Sequence, residues 1–141
     1  MTNNKLTAIL AAASFSLAAT AASSATIVGA VSATASNTTP GFGIENSIDQ
    51  SGLSSGYVSG VTDFDTYIGT GPTHSLAAST EWFGANGTSS ATVLYDLGSV
   101  LRIDRLALWN EESSGFGTGD ISVSDDGVTF ASLASINPFD N

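Results

Sequence analysis

One histidine and no cysteine restrict what this 141-residue chain could catalyse. His74 lies in a Gly-, Pro- and Thr-rich stretch. A Ser–His–acid triad built on it would need a nucleophile elbow, a Gly-x-Ser-x-Gly turn between a strand and a helix, and no such context is present. Zinc hydrolases draw several ligands from His and Cys, which this composition does not supply. Two neighbouring carboxylate pairs, Glu111-Glu112 and Asp125-Asp126, raise glycoside hydrolysis. That chemistry sets two acids across a cleft at about 5–10 Å, whereas Asp126 is accounted for by a turn with Gly127 and Glu111-Glu112 fall in a loop after a strand. These residues predict a protein that is not an enzyme.

What the chain has in excess is oxygen. Calcium takes carboxylate, hydroxyl and carbonyl ligands held by loops, and Asp63 and Asp65 are candidates on composition alone. Sugar recognition pairs an aromatic platform with hydrogen-bonding side chains, because a sugar's C–H face is apolar and its hydroxyls need donors and acceptors. Tyr57, Tyr67, Phe83 and Phe116 lie in or beside loops and are candidate platforms. Each also has a packing role as its alternative, and Trp82 and Trp109 are assigned to the core. Asn37-Thr38-Thr39 and Asn86-Gly87-Thr88 are glycosylation sequons only in a eukaryotic secretory pathway.

The elements that must position these residues are strands. From Thr26 onward the punctuation is Gly, Ser, Thr, Asn and Asp, and the apolar period is two rather than 3.6. Ala91–Leu97 is a β-rich run closed by Gly98. Leu101–Trp109 reads as a strand with Leu101, Ile103, Ala107 and Trp109 on one face. Arg105 interrupts that face and is expected near an edge or over a carboxylate. Ile121–Ser124 alternates, Asp126-Gly127 supplies turn residues, and Val128-Thr129-Phe130 resumes the alternation, predicting a hairpin. Little helix is expected, and the long Gly- and Ser-punctuated segment from Ser51 to Ser75 reads as a functional or disordered loop. Several short strands separated by turns predict an all-β antiparallel sandwich or jelly roll that buries a real core.

The N-terminus sets the compartment. Met1–Lys5 is polar and basic, and Leu6–Ala22 is uncharged and rich in Ala, Leu and Ile, the layout of a signal peptide. Small residues place the cleavage after Ala25, with Ala21 as the alternative. Residues 1–25 are thus read as a leader and 26–141 as one secreted domain. Thirteen acids face three bases, a net charge of −10. Lys5 lies in the leader, so Arg102 and Arg105 are the strong bases left to the mature chain. Nucleic acid is excluded as a partner, since neutralising phosphates requires Lys and Arg. Anionic membrane surfaces are disfavoured for the same reason, and no later stretch is long and apolar enough to span a bilayer.

The order of motifs resembles the discoidin family, the coagulation factor 5/8 type C domains of the galactose-binding-like β-sandwiches. Val31–Ser36 is similar to the family's opening strand, Asn46-Ser47-Ile48-Asp49 to the segment before its early turn, and Ser79-Thr80-Glu81-Trp82 to its Ser-Thr-x-Trp element. Tyr95-Asp96-Leu97-Gly98 matches its Asp-Leu-Gly strand end, Ile103–Trp109 its central strand, and Ser122–Phe130 its Ser-x-Asp-Gly hairpin. Gln50 departs from the glycine usual after Asp, and a long insertion separates Asp49 from Ser79. The family's later strands have no counterpart, so the domain is read as incomplete at its C-terminus, with a lost surface anchor. The resemblance implies a non-catalytic module that binds carbohydrate or a cell-surface glycan. It also implies a structural calcium drawing on Asp49 and Thr80. The alternative is a structural or matrix protein of the cell envelope with no small ligand.

Overall fold

The computed structural model describes residues 25–75, 77, 79–110 and 115–138. The expected leader apart from Ala25, the Glu111-Glu112 pair and the last three residues lie outside the described residues. The elements in chain order are β1 (Ser32–Ala35), a 3-10 turn (Ile44–Ser47), α1 (Phe64–Gly69), β2 (Val93–Asp96), β3 (Gly119–Val123) and β4 (Ala131–Ile136). The chain is β-rich with little helix, and its strands form two antiparallel pairs, β1 with β2 and β3 with β4.

β1 and β2 run from Ser32↔Asp96 to Ala35↔Val93. Two flanking bonds extend the ladder, Val31 N–H to Asp96 O at 2.8 Å and Ser36 N–H to Thr92 O at 2.9 Å. β2 ends as the sequence predicts. The Asp96 carboxylate accepts the Gly98 N–H at 2.8 Å, and Gly98 takes a φ of +77°, which a side chain would resist.

The β3–β4 hairpin forms, with a bulge between Ile121 and Ser122, but its second strand starts at Ala131. The expected strand residues Val128-Thr129-Phe130 belong to the connecting loop instead. The Asp126 carboxylate diverts them by accepting the Val128 and Thr129 N–H groups at 2.8 and 2.7 Å. An Asp side chain that satisfies nearby N–H groups competes directly with ladder pairing.

The expected strand over Leu101–Trp109 does not form; residues 101–110 have no regular secondary structure. Side chains tether this segment where a ladder would have done so. Arg105 pairs with Asp65 of α1 and lies 4.9 Å from the centre of the Phe64 ring, in keeping with its expected place over a carboxylate. Trp109 Nε1 donates to Pro72 O at 2.9 Å. Asn110, nearly buried, holds Phe116 by both ends of its amide, at 3.0 and 3.2 Å.

The core is smaller than the sequence predicts. Among the described residues Tyr67 is the buried large apolar side chain, at 5% exposure, while Leu106, Leu133 and Ile103 are all more than half exposed. Trp82 and Trp109, expected in the core, are half-buried. Each points its indole N–H at a partner near the surface, as a buried indole must find an acceptor.

The 51–75 segment carries α1, an element the sequence reading leaves as loop. Asp63 caps it, its carboxylate accepting the Thr66 N–H at 2.8 Å, which relieves one of the orphan donors of the first turn. Bridges Thr26↔Asp63 and Leu53↔His74 tie the segment down at both ends. Among the described residues no helix is long and apolar enough to cross a membrane.

Candidate functional site

A depression of about 360 Å³ opens beside the loop that follows β1, lined by Thr38, Thr39, Gly41, Glu45, Asn46 and Ser79 among others. The local sequence explains its shape. Thr39-Pro40-Gly41-Phe42 closes with Phe42 N–H donating to Thr39 O at 3.0 Å, and Gly41 takes a φ of +88°. Pro in the second position and a left-handed Gly in the third are the requirements of a type II turn. One residue on, the Glu45 side chain folds back over Gly43, in space that a Cβ would fill.

Ser79 completes the lining, and the loop is clamped to the following segment, 81–85, by side-chain bonds. Asn37 Oδ1 accepts Ala85 N–H at 2.8 Å while its Nδ2 donates to Ser90 O at 3.1 Å. Thr39 donates its hydroxyl proton to Gly84 O at 2.6 Å, and Asn46 Nδ2 donates to Glu81 O at 2.8 Å. Trp82 Nε1 donates to Thr38 Oγ1 at 3.1 Å. Behind them Phe42 and Phe83 meet edge to face at 5.1 Å. The Asn37, Thr38, Thr39 and Asn46 side chains are therefore each held by a bond to this segment, which limits the side-chain freedom a ligand would have to freeze.

Phe83 does not line the depression but backs its loop, half-buried against Phe42, with its carbonyl accepting Thr39 N–H at 2.8 Å. Tyr57 and Tyr67 lie together elsewhere, with rings edge to face at 5.7 Å. Tyr67 is not an open platform. Its ring is covered, and its hydroxyl donates to Ser55 O at 2.7 Å. Tyr57 is half-buried, and burial, with a smaller contribution from Tyr67, pushes its phenol pKa up. Tyr67 thus has the packing role that is the alternative to a platform, its covered ring meeting Tyr57 edge to face.

The two residues expected to hold calcium are each engaged locally. Asp49 Oδ1 accepts Ser51 N–H at 2.8 Å, and Thr80 donates to Ala77 O at 2.8 Å. Gln50 between them has a φ of +64°, and its Oε1 accepts Tyr57 N–H at 2.8 Å, a bond that offsets the cost of a left-handed non-glycine residue. Asp63 is the α1 cap and Asp65 the partner of Arg105. Among the described residues no three His, Cys, Asp or Glu side chains gather as a metal cage; calcium can also use carbonyls and hydroxyls, so this leaves it open.

The Gly-x-Ser-x-Gly spacing occurs at Gly52-Leu53-Ser54-Ser55-Gly56, without the strand-to-helix context of an elbow. His74 packs its ring over Gly52 and bridges Leu53. Ser54 Oγ meets the Thr73 N–H at 2.9 Å instead of the imidazole. The loop pocket is what the sequence reading missed. Its available signal was Thr-Pro-Gly-Phe, since Pro-Gly marks a turn whose geometry follows from its residues. No family model matches the chain, and neither curated proteins nor solved structures yield a match.

Proposed function

We propose that this chain is an exported, non-catalytic carbohydrate-binding module of the discoidin-like sandwich type, with its sugar site in the pocket lined by the Thr38–Asn46 loop and Ser79. The observation that supports it most is the pocket's construction. A concave site of about 360 Å³ is lined by the Thr38 and Thr39 hydroxyls and the Asn46 amide, each held by a bond to the 81–85 segment, together with the Glu45 carboxylate. Small-ligand sites are clefts of about 300–1,000 Å³ with a few well-placed polar groups, and this one falls within that range. A structural calcium near Asp49 and Thr80, and cleavage of a leader after Ala25, belong to the same reading.

The test is thermal unfolding of the full chain with calcium, with chelator and with a panel of neutral oligosaccharides, since a ligand specific to the folded state raises the midpoint. One sugar class should raise it, and Thr38→Val should weaken that sugar about fivefold, the worth of one neutral hydrogen bond. A sugar that binds equally well to Thr38→Val would move the site elsewhere. A panel with no effect would favour the second reading, a structural protein of the cell envelope. That reading draws on an open apolar groove of about 420 Å³ formed by Leu106, Leu108, Ile121, Ile136 and Pro138 with Asn137. It predicts reversible self-association without ligand, measurable by sedimentation.

A further inference from the structure

The free hydrogen-bonding capacity of the loop pocket is lopsided, and this indicates which sugar it suits. Thr39 commits its only proton to Gly84 O, leaving lone pairs. Asn46 gives an N–H to Glu81 O, and its Oδ1 has no partner among the described residues. The Glu45 carboxylate is likewise without a hydrogen-bond or ion-pair partner among the described residues. Against these acceptors the lining side chains offer the hydroxyl protons of Thr38 and Ser79 and the second Asn46 N–H, and no Lys or Arg. An ammonium carries three donors and no acceptor, and a carboxylate carries acceptors only.

Resting on the carbohydrate reading above, we propose that the pocket selects a sugar bearing a free amine, a glucosamine unit, and discriminates against uronates. The ammonium pairs with Glu45 and donates to Asn46 Oδ1, while ring hydroxyls exchange bonds with Thr38 and Ser79. The chain's net charge of −10 adds a field that draws cationic ligands in and repels anionic ones.

Calorimetric titration of the full chain with tetramers of glucosamine, N-acetylglucosamine and glucuronate tests this, repeated on Glu45→Gln. Acetylation removes the charge and keeps the ring, so the free amine should bind about three- to fivefold tighter than the acetylated form, the range of a solvent-exposed ion pair. Glucuronate should bind weakest. Glu45→Gln should erase the preference, bringing the amine and acetamide affinities together. Because Glu45 is exposed and its side chain makes no hydrogen bond or ion pair with the described residues, the unfolding midpoint should not move. Equal affinities for amine and acetamide, a preference that survives Glu45→Gln, or tighter binding of glucuronate would overturn the inference while the carbohydrate reading stands. Absence of binding by all three and by the neutral panel would remove both.

Discussion

The region from Ala25 to Asp96 and the hairpin from Gly119 to Ile136 are built from similar residues and held together differently. In the first, side chains reach across 12 to 53 positions to backbone groups. Asn37 reaches Ala85 and Ser90, Thr39 reaches Gly84, Asn46 reaches Glu81, and Tyr67 reaches Ser55 from within a packed ring pair. In the hairpin, the bonds are the ladder itself, the Asp126 loop and a Ser135–Asp120 contact at 2.6 Å. Its apolar residues Leu133, Phe130 and Val128 remain open at 62%, 47% and 82%. A ladder can therefore form without a second layer to cover its face. Long-range side-chain bonds fix loops in place, and only an opposing surface produces burial.

The sharpest way to break this contrast is to truncate one apolar side chain in each region. Tyr67→Ala removes the buried ring and its bond to Ser55 and should cost about 3–5 kcal/mol in urea unfolding, enough to abolish a folded baseline in a marginal domain. Leu133→Ala, on the open hairpin face, should stay within about 0.5 kcal/mol. Comparable losses at the two sites would mean that the hairpin face is covered in solution.

A smaller effect is expected from the clamp. Asn37→Ala leaves the Ala85 N–H and Ser90 O without their partner and should cost about 1–3 kcal/mol. The loop pocket should loosen with it, read as lost amide protection at Ala85 in hydrogen exchange while the β3–β4 ladder keeps its own. Loss of protection in both regions together would show that they unfold as one unit.

The smallest change concerns acid. The backbone N–H groups of Thr129 and Val128, with help from the Ser124 hydroxyl, lower the Asp126 pKa to about 2 from its ordinary 3.8. A folded pKa below the unfolded one means that this carboxylate stabilises the loop fully above pH 3.8, and that the contribution is lost as pH falls through about 2. The amide shifts of Val128 and Thr129 should follow that titration and stop following it in Asp126→Asn. The Asn37 clamp, made of a neutral amide, should be unmoved over the same range.

Much of the local structure was legible in the residues. The β2 stop at Gly98, the hairpin around Asp126 and the pairing of Arg105 with a carboxylate each depend on chemistry within a few positions or on a charge that must be compensated. The departures have a different cause. Leu101–Trp109 has the alternation of a strand, but alternation records only which side chains would share a face; a strand also needs a partner edge, and this segment is tethered by Arg105, Trp109 and Asn110 instead. Tyr57 and Tyr67 read as equal to Phe83 because exposure is not a property of residue type.

The candidate site divides in the same way. The amino-acid sequence by itself determined that oxygen-bearing side chains far outnumber His and Cys, that the charge is acidic, and that Thr39-Pro40-Gly41-Phe42 would turn, since these follow from composition and from backbone dihedrals. The tertiary structure alone decided that Thr38, Glu45, Asn46 and Ser79 face one depression, because that depends on Asn37, Thr39 and Asn46 finding carbonyl and amide partners some 35 to 53 residues away. Bonds over such separations are satisfied only when the whole chain has closed, and no window of sequence contains both partners.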